Sequence, residues 1–302
     1  QVMALGAQRL RRLIVISQSL SKLISEQGLN PDAINSKVSE ALSEDSYSDD
    51  LTSQATITEA QMSKASFVTR KSGVIAGCLV AAAVLEQCGI NEYELLVKDG
   101  QEVSANTELI RLTAETRSIL KAERTALNFL SHLSGIATLT NLWVKEVSSS
   151  NTAIRDTRKT TPGLRELEKY AVRMGGGLNH RMSLSDQALI KDNHIAAAGS
   201  VSEAINRVKK ASPGALIEVE VDTLEQLKEA LQCSVEIVLL DNMSIEQTKA
   251  AVEIAKGSNT KLESSGGLKL ENAAAYAATG VDYLAVGALT HSAPVLDIGL
   301  DF

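Results

Sequence analysis

Cysteine is scarce, and the three present, Cys78, Cys88 and Cys233, are odd in number and fall in no CxxC or metal-ligand spacing. A disulfide framework is excluded; core thiols in a reducing compartment, the cytoplasm, are expected. The four histidines, His132, His180, His194 and His291, form no HxH or HExxH pattern, which argues against a zinc site. No GxSxG elbow is present for a Ser/His/Asp triad. Long apolar runs are missing, since none nears the ~18 residues that a bilayer requires. Excess positive charge is missing too: 30 basic against 37 acidic side chains leave −7, so nothing is available to displace the counterions of a nucleic acid. Membrane and nucleic-acid partners are therefore not expected.

What remains is ordinary globular composition, 44% hydrophobic and 22% charged, over 302 residues, enough chain for a large barrel or two packed domains. Arg9, Arg11 and Arg12 precede an apolar run, Leu13 to Ile16, too short for a signal-peptide core. Leu10, Leu13, Ile14, Leu20, Leu23 and Ile24 instead recur at helical spacing, predicting a helix over 8–27 with its basic residues on the wet face. A second helix is expected over 32–43 behind Pro31, then a Ser/Asp-rich loop over 43–53. Lys64 to Ile75 reads as a strand and Leu79 to Gln87 as a helix. Two short strands around Asp99-Gly100 read as a hairpin. The helical pattern from Glu115 to Val147 is long enough to predict a break, placed at Gly135.

The second half alternates short apolar runs with helical stretches. Runs at 152–154, 188–190, 216–221, 235–240, 261–262 and 282–286 give serial β/α, closing into a barrel or an open sheet. The reactive residues favour the barrel. Arg158 and Lys159, Lys191, Glu220, Asp241, Ser265-Gly266-Gly267 and Gly287 each fall at the carboxyl end of a run, and a barrel gathers all such ends at one mouth.

Between Arg155 and Lys191 eight basic residues face four acidic ones, a local +4 in a chain of −7. A small polyanion is the expected partner. Lys169 and Arg173, on a helical stretch over 164–174, read as a solvated charged face. Arg158, Lys159, Arg181 and Lys191 read as ligand-binding, because guanidinium forks grip carboxylates in bidentate fashion. Gly175, Gly176 and Gly177 would let the backbone approach a ligand. Ser265, Gly266, Gly267 and Gly287 have the form of a phosphate cradle. Glu218 and Asp222 read as one polar face of a half-buried strand. Asp241, with Glu220 as companion, reads as a holder of ribose hydroxyls or Mg²⁺. His180 is placed in the site and His194 is read as structural.

Several stretches together resemble the quinolinate phosphoribosyltransferase family: Glu123 to Asn128, Asp156 to Arg165, Asn179 to Arg181, Leu189 to His194, Glu218 to Glu220, Leu239 to Asn242, Glu263 to Gly267 and Val286 to Leu289, in family order across nearly the whole chain. The first 50 residues match least well. The resemblance implies an α/β fold: an N-terminal α/β sandwich over 1–134, joined by the tail 291–302, and an incomplete seven-stranded α/β barrel over 135–290. The runs above supply six strands. It implies transfer of phosphoribosyl from phosphoribosyl pyrophosphate to quinolinate with loss of carbon dioxide, in NAD biosynthesis, with Mg²⁺ and no organic cofactor. It assigns quinolinate to Arg158, Lys159, His180, Arg181 and Lys191, the ribose and metal to Glu220 and Asp241, and the 5′-phosphate to Ser265, Gly266, Gly267 and Gly287. Lys159, Lys191, Glu220 and Asp241 would be the catalytic set. Arg124 would enter the neighbouring subunit's site, making a homodimer the smallest active unit. The rival readings are a related nicotinate phosphoribosyltransferase, a barrel aldolase with Lys191 as its Schiff-base lysine, and a phosphosugar-binding regulator.

Overall fold

The computed structural model describes residues 15–45 and 50–302. Of the first expected helix, α1 (Gln18–Glu26) is observed, started by Ser17, whose hydroxyl accepts the Leu20 N–H at 3.2 Å. Arg9, Arg11, Arg12, Leu10, Leu13 and Ile14 lie outside the described residues, as does the loop segment 46–49. In α2 (Pro31–Glu44) proline takes the first helical position, where no N–H is needed, and Asn30 caps Asp32 and Ala33. The end of the expected loop is helical: Asp50 accepts the Ser53 N–H at 3.0 Å and opens α3 (Leu51–Thr56).

The expected single strand over 64–75 is two, β1 (Met62–Thr69) and β2 (Gly73–Val74), followed by α4 (Cys78–Gln87). Next come β3 (Tyr93–Leu95), β4 (Glu102–Val103) and β5 (Glu108–Glu115). The hairpin expected at Asp99-Gly100 is not formed. β3 pairs with β5, and β4 with β2. Asp99 is used elsewhere: its carboxylate accepts the Gly77 and Cys78 N–H groups, each at 2.9 Å, satisfying the start of α4. Because α4 is buried along nearly its whole length, these donors have no water to turn to.

One helix, α5 (Thr116–Glu146), runs unbroken through Gly135. A glycine there serves close approach rather than a break. A Cβ on Gly135 would lie 2.1 Å from the Pro294 carbonyl oxygen, and the returning chain is held next to it by the Leu296 N–H donating to Ser131 O at 3.0 Å. Gly135→Ala should therefore destabilise the protein by about 1–3 kcal/mol through overpacking, outweighing the roughly 1 kcal/mol gain in helix propensity. Denaturant unfolding checks this; a stability equal to or above the parent's would show that the contact yields freely.

The second half contains β6 (Ala153–Arg155), α6 (Arg165–Met174), β7 (Ala188–Ile190), α7 (Asp192–Ala198), α8 (Val201–Ala211), β8 (Ile217–Val221), α9 (Leu224–Gln232), β9 (Ile237–Asp241), α10 (Ile245–Ala255), β10 (Lys261–Ser265), α11 (Leu270–Ala277), β11 (Tyr283–Ala285) and α12 (Ala288–His291). The six apolar runs are the six strands, parallel and ordered β6-β11-β10-β9-β8-β7. A seventh position is reduced to one parallel bridge, Arg155 with Leu178, beside β6. The chain ends in β12 (Ile298–Asp301), antiparallel to β1 in the four-stranded sheet β12-β1-β5-β3. Buried apolar side chains from Ile16 to Ile298 form one continuous core. Among the described residues no helix is long and apolar enough to cross a membrane, and the three cysteines are free thiols.

The triple glycine turns against α5, not toward a ligand. A Cβ on Gly175 would meet Ala137 O at 2.4 Å, and one on Gly177 would meet Thr140 and Val172 side chains at 2.8 Å. These residues let the chain pass tightly over the long helix into the 178 bridge.

Candidate functional site

Parallel register sets Glu220, Leu239, Glu263 and Tyr283 side by side, and one layer above them Asp241, Ser265, Ala285 and Arg155. At the carboxyl ends of these strands opens a cavity of 820 Å³. Eleven of the twelve residues picked from the sequence line it: Arg158, Lys159, His180, Arg181, Lys191, Glu220, Asp241, Ser265, Gly266, Gly267 and Gly287. Arg124 does not. It is exposed on α5 and lines a separate cavity of 470 Å³ with Glu44, Asp45, Asn128, His132 and Thr161.

Two guanidinium groups dominate one wall. Arg158 and Arg181 are half-buried, and the Nε–H of each is buried with no hydrogen-bond partner. Arg181 keeps one link to the protein, Nη1 to Gln187 O at 3.1 Å. Burial first, then the like charge of Arg158, lowers the Arg181 pKa from its usual value. Two cations held near each other with unspent donors are set up to take anionic oxygens.

Lys191 directly follows β7, and its ammonium donates to Glu220 Oε2 at 2.7 Å. A Schiff-base lysine works where it is desolvated or crowded by another cation. Lys191 is ion-paired and its side chain is 47% exposed, which argues against the aldolase reading. Asp241 Oδ2 accepts from the Asn242 amide at 2.7 Å. Glu220 Oε1 and Asp241 Oδ1 carry no hydrogen bond from the described residues, so each carboxylate has an oxygen to offer.

The glycine turn after β10 is built for backbone access. Gly266 has φ 85° and Gly267 φ 62°; a Cβ on Gly266 would lie 2.1 Å from Asn242 Oδ1, while Gly267 faces open space. Gly287 opens the turn into α12, where a Cβ would meet Lys159 at 3.0 Å. His194 is exposed and Nδ1 accepts the Lys191 N–H at 2.9 Å, a helix-start contact.

Adjoining the cavity, which His180 and Glu263 line, is a buried ionic layer of which the sequence placed only His180 in the site. Arg155 pairs with Glu263 and stacks 4.8 Å over the Tyr283 ring. His180 Nε2 sits 3.0 Å from Glu218 and 3.5 Å from Glu263, while its Nδ1 accepts the Arg181 N–H at 2.7 Å. Glu218, expected as a bland polar face, is fully buried, because alternation that points outward in an open strand points into the interior of a barrel. Asp222 is exposed, as a polar strand-edge residue should be. Burial first, then the charge of Glu218, pushes Glu263 up to about 8. Donor atoms of His180, Glu218 and Glu263 lie within 4.8 Å of one another.

Thr157, Asn242, Leu268 and His291 also line the cavity and were not picked out. Asn242, at φ 51°, had a usable signal: it directly follows the acidic end of an apolar strand. His291 lies one helical turn beyond Gly287, a spacing legible only once α12 is known.

The chain matches the family models for the quinolinate phosphoribosyl transferase N-terminal domain over residues 50–134 and the C-terminal domain over 136–301. It is 52% identical over 276 residues to the nicotinate-nucleotide pyrophosphorylase (carboxylating) of Mycobacterium leprae, spanning 89% of this chain and 97% of that one. It is 41% identical over 260 residues, 85% and 89% of the two chains, to the probable nicotinate-nucleotide pyrophosphorylase (carboxylating) of Bacillus subtilis. The solved nicotinate-nucleotide pyrophosphorylase of Francisella tularensis superposes with TM-score 0.86 at 42% identity, over 89% of this chain and 96% of that one. Human nicotinic acid phosphoribosyltransferase, TM-score 0.59 at 11% identity, shares the fold alone.

Proposed function

The chain belongs to the quinolinate phosphoribosyltransferase family, and from that membership we propose that its 820 Å³ cavity joins quinolinate to phosphoribosyl pyrophosphate, releasing pyrophosphate and carbon dioxide and leaving nicotinate mononucleotide, a step in NAD biosynthesis. The observation that carries this reading is the pair of half-buried guanidinium groups with unpaired donors, facing a glycine cradle and two carboxylates across one cavity.

Quinolinate carries adjacent carboxylates on a pyridine ring. Arg158 and Arg181 take them in charge-assisted hydrogen bonds, with Lys159, Lys191 and the His180 ring completing the wall. Backbone donors of Ser265, Gly266, Gly267 and Gly287 receive the 5′-phosphate. Attack by the ring nitrogen on the sugar carbon breaks the bond to pyrophosphate through an oxocarbenium-like state, which Glu220 and Asp241 stabilise while they hold the ribose hydroxyls. Lys159 and Lys191 neutralise charge on the departing group. The ribosylated nitrogen then bears a positive charge. Loss of the neighbouring carboxylate as carbon dioxide leaves its electron pair on the ring carbon, stabilised by that charge, and a proton replaces it; no organic cofactor is required.

Mg²⁺ fits the residues present. Glu220 and Asp241 offer hard oxygen donors at the cavity, the one or two carboxylates with which this ion, together with substrate phosphates, is usually held. When bound, directly or through its waters, it supplies charge neutralisation for pyrophosphate.

The same proposal includes the homodimer, with Arg124 reaching the partner's cavity, and the cytoplasm, in keeping with three free thiols. Purified protein given quinolinate and phosphoribosyl pyrophosphate should release carbon dioxide and the mononucleotide in equal amounts, and chelation of Mg²⁺ should stop both. Nicotinate offered in place of quinolinate should not turn over, because one carboxylate leaves a desolvated guanidinium unpaired. Turnover of nicotinate without carbon dioxide would replace this reading with the nicotinate one.

A further inference from the structure

Helical spacing predicts that Lys169 faces water, yet the structure buries it completely, together with Asp156. Its ammonium donates to Asp156 Oδ1 and to the His180 carbonyl oxygen at 2.8 Å. Asp156 Oδ1 in turn accepts the His180 N–H at 2.8 Å, and Oδ2 accepts the Asn179 amide at 2.6 Å. That same amide donates to Lys169 O at 2.8 Å, and the Asp156 N–H donates to Leu178 O at 3.1 Å. His180 is thus gripped at both its N–H and its C=O by one ion pair.

Stability alone does not account for such a pair. Burial pushes the Lys169 pKa down and the Asp156 pKa up, against the charged forms, and apolar replacement of buried ion pairs is often neutral or stabilising. What the pair does is geometric. The residue beyond the grip is Arg181, whose N–H donates back into His180 Nδ1. The helix that carries Lys169 also opens on Arg165, which donates to Thr160 Oγ1 and Met182 O, both at 3.0 Å, tying the Arg158–Lys159 segment to the same frame.

We propose that Lys169, through Asp156, is a positioning residue for the dicarboxylate wall: it sets the His180–Arg181 backbone so that Arg181 meets the acceptor's carboxylates alongside Arg158. This rests on the function proposed above for the cavity. Glu220, Asp241, Ser265, Gly266, Gly267 and Gly287, assigned above to the phosphoribosyl group, make no hydrogen bond with either member of the pair.

The test is steady-state kinetics of the full chain with each substrate varied in turn, on Lys169→Met and on the neutral double variant Lys169→Met/Asp156→Asn. The double variant leaves no unpaired buried charge and keeps the test open where the single one fails to fold. KM for quinolinate should rise by about tenfold or more, in line with the cost of slight misplacement at a site. KM for phosphoribosyl pyrophosphate should stay within about twofold, and the circular dichroism of the double variant should match the parent's. A general structural defect would raise both constants together; that result, or an unchanged quinolinate KM, overturns the positioning role. Carbon dioxide release by the parent in the same run reports on the function itself. Its absence sinks that reading, and its presence leaves any failure to the role of Lys169 alone.

Discussion

Arg158→Ala is expected to lower kcat/KM for quinolinate by roughly one and a half to three and a half decades, the equivalent of about 2–5 kcal/mol for removing one partner of a desolvated charge pair, while circular dichroism and melting match the parent. The fold should survive because no guanidinium nitrogen of Arg158 bonds the described residues; the buried Nε–H has no partner, so truncation breaks no hydrogen bond or ion pair there. The loss falls on the substrate instead. A carboxylate desolvated against the wall keeps Arg181 but loses the second fork, and the uncompensated charge weighs on binding and on the transition state alike. Neighbouring Lys159 cannot replace it, being a point charge without the planar fork. Near-parental turnover of quinolinate would refute the role given to this wall.

Arg124→Ala should produce a comparable loss, and for a reason that a second experiment isolates. The residue is exposed on α5 and lines a different cavity from the remaining candidates, so within one subunit it has no access to the proposed chemistry. If it serves the partner's cavity, an Arg124→Ala chain paired with an Arg158→Ala chain rebuilds one complete site per hybrid dimer: the first chain keeps its own Arg158 and borrows Arg124 from the second. Random mixing makes half the dimers hybrid with one of two sites whole, so about one quarter of parental activity should return. Differently tagged chains verify that hybrids form. Hybrids present without recovered activity would count against a shared site.

The places where local reading succeeded and failed divide along physical lines. Six apolar runs became six strands because β propensity and turn chemistry act over a few residues. Capping was equally local, as Pro31 and Asn30 show at the start of α2. Asp99-Gly100 had the right chemistry for a hairpin, yet Asp99 was drawn to the buried start of α4 and to the Tyr170 hydroxyl at 2.7 Å, partners far away in the chain. Gly135 read as a helix breaker because glycine is a poor helix former; the close passage of Pro294 that requires it is invisible without the returning tail.

Residue types at strand ends and the order of β and α segments by themselves determined the parallel architecture and marked eleven residues that come to share one cavity. Only the tertiary structure decided which charges are solvated and which are buried. Lys169 and Glu218 sit in segments whose periodicity looks amphipathic, but their partners Asp156 and His180 arrive from other elements, and Arg155 finds Glu263 across 108 positions. Burial of a charge is settled by whether distant groups converge to replace its water, and spacing within one segment carries no record of that convergence.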